Sequence, residues 1–317
     1  MYLLRRKVTI DMARSAAPCA PELPLERARL SLQGLSIGDA FGQCFFAYDN
    51  VDPVITARQL PAAPWHYTDD TVMALSVVAS LARFGRIDQD SLAIDFADRY
   101  EYDRAYGPSM HRTLDRIRNG ENWRAVASDA FGGMGSWGNG AAMRAAPIGA
   151  FFSDDLETAC QQARLSAVVT HAHDEGVAGA IAVAAAAALA TRYGERNERP
   201  SAQRFLVEVA EHVPYSEVRS RLLRAQYISE QATLQFAISV LGHGVEMSAQ
   251  DTVPFALWCC GHYLGEFSEA LWLAVSAGGD RDTLCAIVGS VVVMFTGANS
   301  IPTSWTNCRE PLPSEIR

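Results

Sequence analysis

Two stretches of this chain are apolar on nearly every side when wound as helices: VAGAIAVAAAAALA at 177–190 and LCAIVGSVVVMF at 284–295. A helix without a polar face has no side to turn to water, so other elements must wrap it or lipid must surround it. Both stretches are too short or too Ala-rich to cross a bilayer, which takes about 20 strongly apolar residues. They are therefore expected at the centre of a large helical bundle. Around them, apolar residues recur at helical spacing over 25–46, 70–83, 91–102, 110–119, 141–152, 156–170 and 175–193. The same spacing continues over 202–211, 216–226, 230–241, 252–263, 266–276 and 282–295. Alternating runs of the strand type are scarce. The expected fold is all-α: a single compact multi-helix domain over 25–317, preceded by an arm over 1–24 broken by Pro18, Pro21 and Pro24. No Pro/Gly/Ser-rich linker and no repeat of fixed period divides it.

Composition narrows the function classes. At 49% hydrophobic over 317 residues, the chain can bury a large core. A net charge of -9 disfavours a nucleic-acid partner, which calls for a basic patch, and leaves room for cations. The seven cysteines are irregularly spaced and form no CxxC pair. They read as reduced core residues of a cytoplasmic protein, and they argue against a cysteine zinc site. The N-terminus has early positive charge but no apolar core of a signal peptide. A cytoplasmic monomer without a membrane span is expected.

Chemistry concentrates at helix starts. TDDT at 68–71 opens the helix over 70–83 with Thr68, Asp69 and Asp70, where one acceptor would suffice as a cap. Far along the chain, GGDRDT at 278–283 repeats the pattern, with Asp280, Asp282 and Thr283 opening the second apolar helix. Each cluster alone can be a cap. If the two helix starts converge, four carboxylates and two hydroxyls face one another, and carboxylates that close do not all stay ionised without a cation. An all-oxygen set suits Mg²⁺ first and Mn²⁺ or Ca²⁺ next, and the absence of His from either cluster counts against zinc. Between the clusters, FGGMGSWGNGAAMRAAPIGAF at 131–151 carries five glycines from 132 to 140. It reads as a cradle of backbone N–H groups for phosphate, or as a flexible loop capped by Asn139. His171 and His173 then sit between two helices, as structural hydrogen-bonders or as pocket lining.

Taken in order, GLSIGDAFG (34–42), TDDTVM (68–73), GNGAAMR (138–144), THAHDEG (170–176) and GGDRDT (278–283) resemble the motifs of the ADP-ribosylglycohydrolases. This is the family of the dinitrogenase-reductase-activating glycohydrolase and the ADP-ribosyl-acceptor hydrolases. The resemblance covers about residues 30 to 300. It implies an all-α fold with a two-magnesium centre in a cleft, hydrolysing the bond between ADP-ribose C1″ and an acceptor, often a protein side chain. Carried over motif by motif, Thr68, Asp69, Asp70, Asp280, Asp282 and Thr283 would ligate metal, Mg²⁺ or Mn²⁺. Ser136, Trp137, Gly138 and Asn139 match positions that hold the ribose and diphosphate, and His171 matches one near the adenosine half. Asp39 of GDAFG is expected to act as a structural cap.

The chain departs from the family at two places. Many members carry a Glu four positions after the second Gly of GDAxG; here Phe46 stands there, with neutral Gln43 nearby. The middle of the last motif, often Thr, is Arg281. The base in this chain would then be Asp69, Asp70 or Asp103 of YEYDRAYGPS. The expected partner is an ADP-ribosylated protein or a small ADP-ribosyl conjugate. Two other readings stand beside the protein-directed hydrolase. One is a catalytically silent ADP-ribose-binding relative, favoured by Phe46 and opposed by the full set of ligand positions. The other is a hydrolase of small ADP-ribosyl or nucleoside conjugates.

Overall fold

A computed structural model describes residues 22–314 other than 49 and 230. Of the expected arm, residues 1–21 lie outside the described residues, and Glu22, Leu23 and Pro24 form the first turn of a helix. Pro24 is tolerated there because the first turn has no carbonyl to receive its missing N–H. Among the described residues the regular structure is helical, with only isolated bridges at Trp65–Arg309 and Gly138–Ser248. The all-α expectation holds.

Five helices build the site: α1 (Glu22–Gln43), α2 (Asp69–Phe84), α3 (Ala146–Phe151), α4 (Asp174–Glu195) and α5 (Arg281–Thr296). Helix α4 is the central rod. It is long and apolar enough to cross a membrane, yet 94% of its most apolar 18-residue window is buried inside the fold. Its alanines let neighbours approach to backbone distance. A Cβ added to Gly149 of α3 would lie 1.9 Å from the Ala184 carbonyl oxygen. Helix α5 is buried in the same way from Asp282 to Met294.

Helix α1 runs along α5 at a distance only glycine permits. Gly34, Gly38 and Gly42 recur every fourth residue and form a stripe on one face. Cβ atoms on them would stand 2.4, 2.0 and 2.4 Å from the carbonyl oxygens of Gly289, Cys285 and Arg281. That approach brings Asp39, beside the stripe, to the start of α5. Beneath GDAFG, Phe41 stacks on Trp305 at 4.5 Å and meets Trp272 edge-on at 5.0 Å. This aromatic cluster fastens the C-terminal segment under the same helix.

Several expectations on the elements need correction, among them the run expected over 91–102, which ends at Asp98, and that over 230–241, which begins at Leu234. The helix expected over 25–46 ends at Gln43 and passes into a 3-10 turn, Cys44–Ala47. The helix expected over 141–152 is broken: a 3-10 turn, Asn139–Ala141, precedes the short Ala146–Phe151 helix. Pro147 lies in the first turn of that helix, where it starts a helix but cannot continue one. Helices Asp52–Thr56, Trp123–Gly133 and Thr303–Cys308 were not legible from apolar spacing.

Candidate functional site

The two acidic helix starts converge. Of Thr68 and Asp69, the two caps the sequence offers, Thr68 is the N-cap of α2, its hydroxyl accepting from the Asp70 N–H. The same hydroxyl lies 2.9 Å from Asp39 Oδ1 and 3.0 Å from Asp70 Oδ2. It has one proton and two carboxylates to satisfy. From the other helix, Thr283 Oγ1 reaches Asp70 Oδ2 at 3.5 Å. One carboxylate oxygen from each of Asp39, Asp70 and Asp282 lies within 4.8 Å of the other two, and all three residues are buried.

Asp39 does more than the structural cap expected of it. It sits inside α1 and bonds the start of a different helix: Oδ2 accepts from the Thr68 and Thr71 N–H groups at 2.9 and 3.1 Å and from the Thr71 hydroxyl at 2.5 Å. These are donors that α2 cannot satisfy itself. Its carboxylate also belongs to the acidic cluster, a role the sequence reading missed. The only local signal was a charged residue flanked by small ones inside an apolar helix.

Burial and mutual repulsion govern these acids. Burial raises the Asp39 carboxyl to about 6, although the hydrogen bonds from Thr71 and Thr68 pull it down. Asp69, Asp70 and Asp282 are pushed well above the usual carboxylate range, first by burial and then by one another's charge and those of Asp39 and Asp280. Asp70 Oδ1 and Asp282 Oδ1 are buried without a hydrogen-bond partner among the described residues. A carboxylate oxygen orphaned in this way costs several kcal/mol unless a cation or proton meets it, on the order of 1–3 kcal/mol even for a neutral group.

The glycine loop is stitched to this cluster. Asn139 Nδ2 donates to Asp280 Oδ2 at 2.6 Å and to Thr252 Oγ1 at 3.0 Å. Gly279, with φ +61, makes the tight approach before α5: a Cβ there would lie 2.0 Å from the His243 carbonyl oxygen. Ser136, Gly138 and His171 gather on the other side. A Cβ on Gly138 would stand 3.2 Å from His171 Nε2 and 3.3 Å from Ser136 Oγ. Trp137 packs on Phe131 at 4.7 Å and meets His173 edge-on at 5.5 Å. Phe131 is half exposed and leaves an aromatic face at the rim. His171 is buried, and burial followed by the Arg144 charge lowers its pKa to about 3, so the ring is neutral.

Other sequence candidates fall outside the cluster. Asp103 is exposed and lines a cavity of about 510 Å³ shared with Gln43, Thr68 and Glu310. Phe46 is half exposed on the 3-10 turn. Arg281 turns away from the acids and donates from Nε to the Val275 carbonyl at 3.2 Å. Glu310 was unforeseen: it accepts from the Tyr67 N–H at 3.0 Å and pairs with Arg104, whose carbonyl holds the Asp69 N–H at 2.7 Å. The C-terminal segment thus braces the approach to TDDT, and nothing in its local sequence announces that.

Comparison with known proteins accords with this geometry. The family model for ADP-ribosylglycohydrolase matches residues 20–316. ADP-ribosylhydrolase ARH3 of Homo sapiens is 32% identical, with 89% of this chain and 88% of that one covered. The ADP-ribosylarginine hydrolase Tri1 of Pseudomonas putida is 26% identical over 92% of this chain and 76% of its own. Among solved structures, one titled ADP-ribosylglycohydrolase-related protein complex superposes with a TM-score of 0.64 at 22% identity, covering 92% of this chain and 94% of that one. A family match over nearly the whole chain, with a relative 32% identical over most of both chains, makes the chain a glycosidase-type hydrolase and a member of the ADP-ribosylglycohydrolase family.

Proposed function

We propose that this hydrolase cleaves the glycosidic bond between ADP-ribose and an acceptor, a modified protein or a small conjugate, and that it depends on divalent cations, Mg²⁺ before Mn²⁺. One observation carries the reading: Asn139 of the glycine loop is bonded directly to Asp280, beside a buried acidic cluster with orphaned oxygens. The residues present fit a hard cation. Asp70 Oδ1 and Asp282 Oδ1 are unpartnered, the other donors are carboxylate and threonine oxygens, and no His or Cys takes part. Thr68, Asp69, Asp70, Asp280, Asp282 and Thr283 would hold it, with Asp39, whose carboxylate belongs to the same cluster, oriented by Thr68 and Thr71. When bound, such ions orient ribose hydroxyls and lower the pKa of a water.

The chain's own residues supply the rest. Hydrolysis adds the hydroxyl of water at the anomeric carbon and breaks the bond to the acceptor, while the remaining water proton passes to a base and from there to the departing acceptor. Asp69 and Asp70 are the base candidates within the cluster; Asp103 is the outer one, across the cavity that reaches Thr68. His171 and Ser136 face the Gly138 backbone, where diphosphate or ribose oxygens need donors. The Phe131–Trp137 pair offers a stacking platform for a base. The six described cysteines are all free, in keeping with the reducing cytoplasm we assign to it.

Titration calorimetry of ADP-ribose, with Mg²⁺ and with EDTA, tests the reading, followed by hydrolysis of ADP-ribosyl-arginine and ADP-ribosyl-serine peptides. Binding that needs Mg²⁺ and hydrolysis of either peptide are expected. Binding indifferent to EDTA would sink the joint metal–ribose site. Asn139→Ala is expected to weaken Mn²⁺ affinity by about tenfold to a hundredfold, the usual cost of losing an outer partner of a ligating carboxylate. An unchanged Mn²⁺ isotherm would remove Asn139 from the centre.

A further inference from the structure

Arg144 is the largest buried charge with no role in the chemistry above. It is fully buried, and burial lowers its pKa to about 9. Its guanidinium lies 4.4 Å over the Phe96 ring. Nη1 donates to the Gly140 carbonyl at 3.0 Å, and Nη2 to the Ser166 carbonyl at 3.0 Å and to Thr170 Oγ1 at 2.9 Å. Thr170 Oγ1 in turn lies 2.7 Å from His171 Nδ1.

The donor inventory settles the direction of this chain of bonds. A guanidinium only donates, so Thr170 Oγ1 accepts from Arg144. Thr170 is buried, and its hydroxyl proton needs an acceptor of its own. Among the described residues the acceptor bonded to that oxygen is His171 Nδ1. The arrangement that gives the buried Thr170 hydroxyl proton an acceptor has Thr170 donating to Nδ1. A neutral imidazole with Nδ1 accepting carries its proton on Nε2. Nε2 faces the glycine loop, 3.0 Å from where a Cβ on Gly140 would be and 3.2 Å from one on Gly138.

We propose that Arg144 is a positioning residue that, through the Thr170 hydroxyl, locks His171 as the Nε2–H tautomer and so presents a fixed hydrogen-bond donor at the glycine loop. Beside it stands Ser136, whose hydroxyl oxygen already accepts from the Gly138 N–H at 3.2 Å and has its proton to give. Two donors side by side at Gly138 select an oxygen-rich ligand group. That the group belongs to ADP-ribose rests on the function proposed above; the locked tautomer does not.

The test is long-range ¹H–¹⁵N NMR of the histidines in the full-length, ligand-free protein. Wild type is expected to show His171 with protonated Nε2 and bare Nδ1. Thr170→Val and Arg144→Met are expected to give mixed tautomers, and Thr170→Ser, which keeps the hydroxyl, to restore the single form. ADP-ribose affinity should fall by about tenfold in Thr170→Val, the scale of one net hydrogen bond, and return in Thr170→Ser. A single Nε2–H form retained in Thr170→Val overturns the proposal, even if affinity drops, because the loss is then merely structural. If Arg144→Met does not fold, Thr170→Val decides, since the whole relay passes through that hydroxyl. Mixed tautomers with unchanged affinity uphold the relay and count against ADP-ribose as the ligand.

Discussion

Removing divalent cations lowers the melting temperature of this protein strongly at pH 8 and little at pH 5. The expectation follows from the acid cluster. Burial holds the Asp39 carboxyl near 6 in the folded chain, and burial with mutual repulsion holds Asp69, Asp70 and Asp282 well above the ordinary value of 3.8. A carboxyl raised on folding contributes stability that is complete below its unfolded pKa and is lost as pH rises through the folded one. The metal-free protein is thus expected to weaken from about pH 4 through about 6 and beyond, because the folded state is forced to ionise acids it would keep protonated. A bound cation meets those charges and flattens the profile. At a hundred times its Kd, a cation stabilises by about 2.7 kcal/mol, or roughly 5 °C for a chain of this size.

Asp282→Asn separates this account from a purely structural cluster. It removes one of the repelling charges and an orphaned oxygen. It is expected to raise the metal-free melting temperature at pH 8, to abolish the gain from Mg²⁺ or Mn²⁺, and to cut hydrolysis by more than about a hundredfold. Calorimetric scans at pH 5 and pH 8, with cation and with EDTA, read all of these. A variant less stable than wild type in EDTA at pH 8 would show that Asp282 is held by favourable contacts, and that no cation is called for.

What the sequence disclosed and what it hid divide along the range of the interaction. An N-cap at Thr68 or Asp69 is local chemistry, and the structure places it at Thr68. The pairing of TDDT with GGDRDT was legible because the pattern occurs twice, although only the fold brings Thr283 to Asp70. Asp39 was not legible as a neighbour of Thr68, because twenty-nine residues and a change of helix separate them. Arg144 stands in AAMRAAP with no polar neighbour in sequence; its partners Ser166 and Thr170 come from the next helix and its end. Pro147, by contrast, was a visible breaker inside the run read as 141–152, and apolar spacing was allowed to override it.

Gly38→Ala is expected to damage stability and site together. In an exposed helix interior this change would help, since alanine is better there by about 1 kcal/mol. Here the new methyl would stand 2.0 Å from the Cys285 carbonyl oxygen and 2.6 Å from its carbon, atoms of a buried backbone that cannot swing aside. Helix α1 must then move off α5. The overpacking outweighs the propensity gain, for a net loss of about 3 kcal/mol or more, roughly 6 °C in melting temperature. Because Asp39 follows Gly38 directly, the same shift draws its carboxylate away from Asp282 and loosens the Thr68 and Thr71 bonds at the start of α2. The cation-dependent gain in stability should shrink with it. Gly107→Ala, where nothing lies within 4 Å, serves as the control and should change stability by less than about 1 kcal/mol. A stable Gly38→Ala protein that still gains from Mg²⁺ would mean that the α1–α5 spacing has slack, and that the glycine stripe does not set the geometry of the acids.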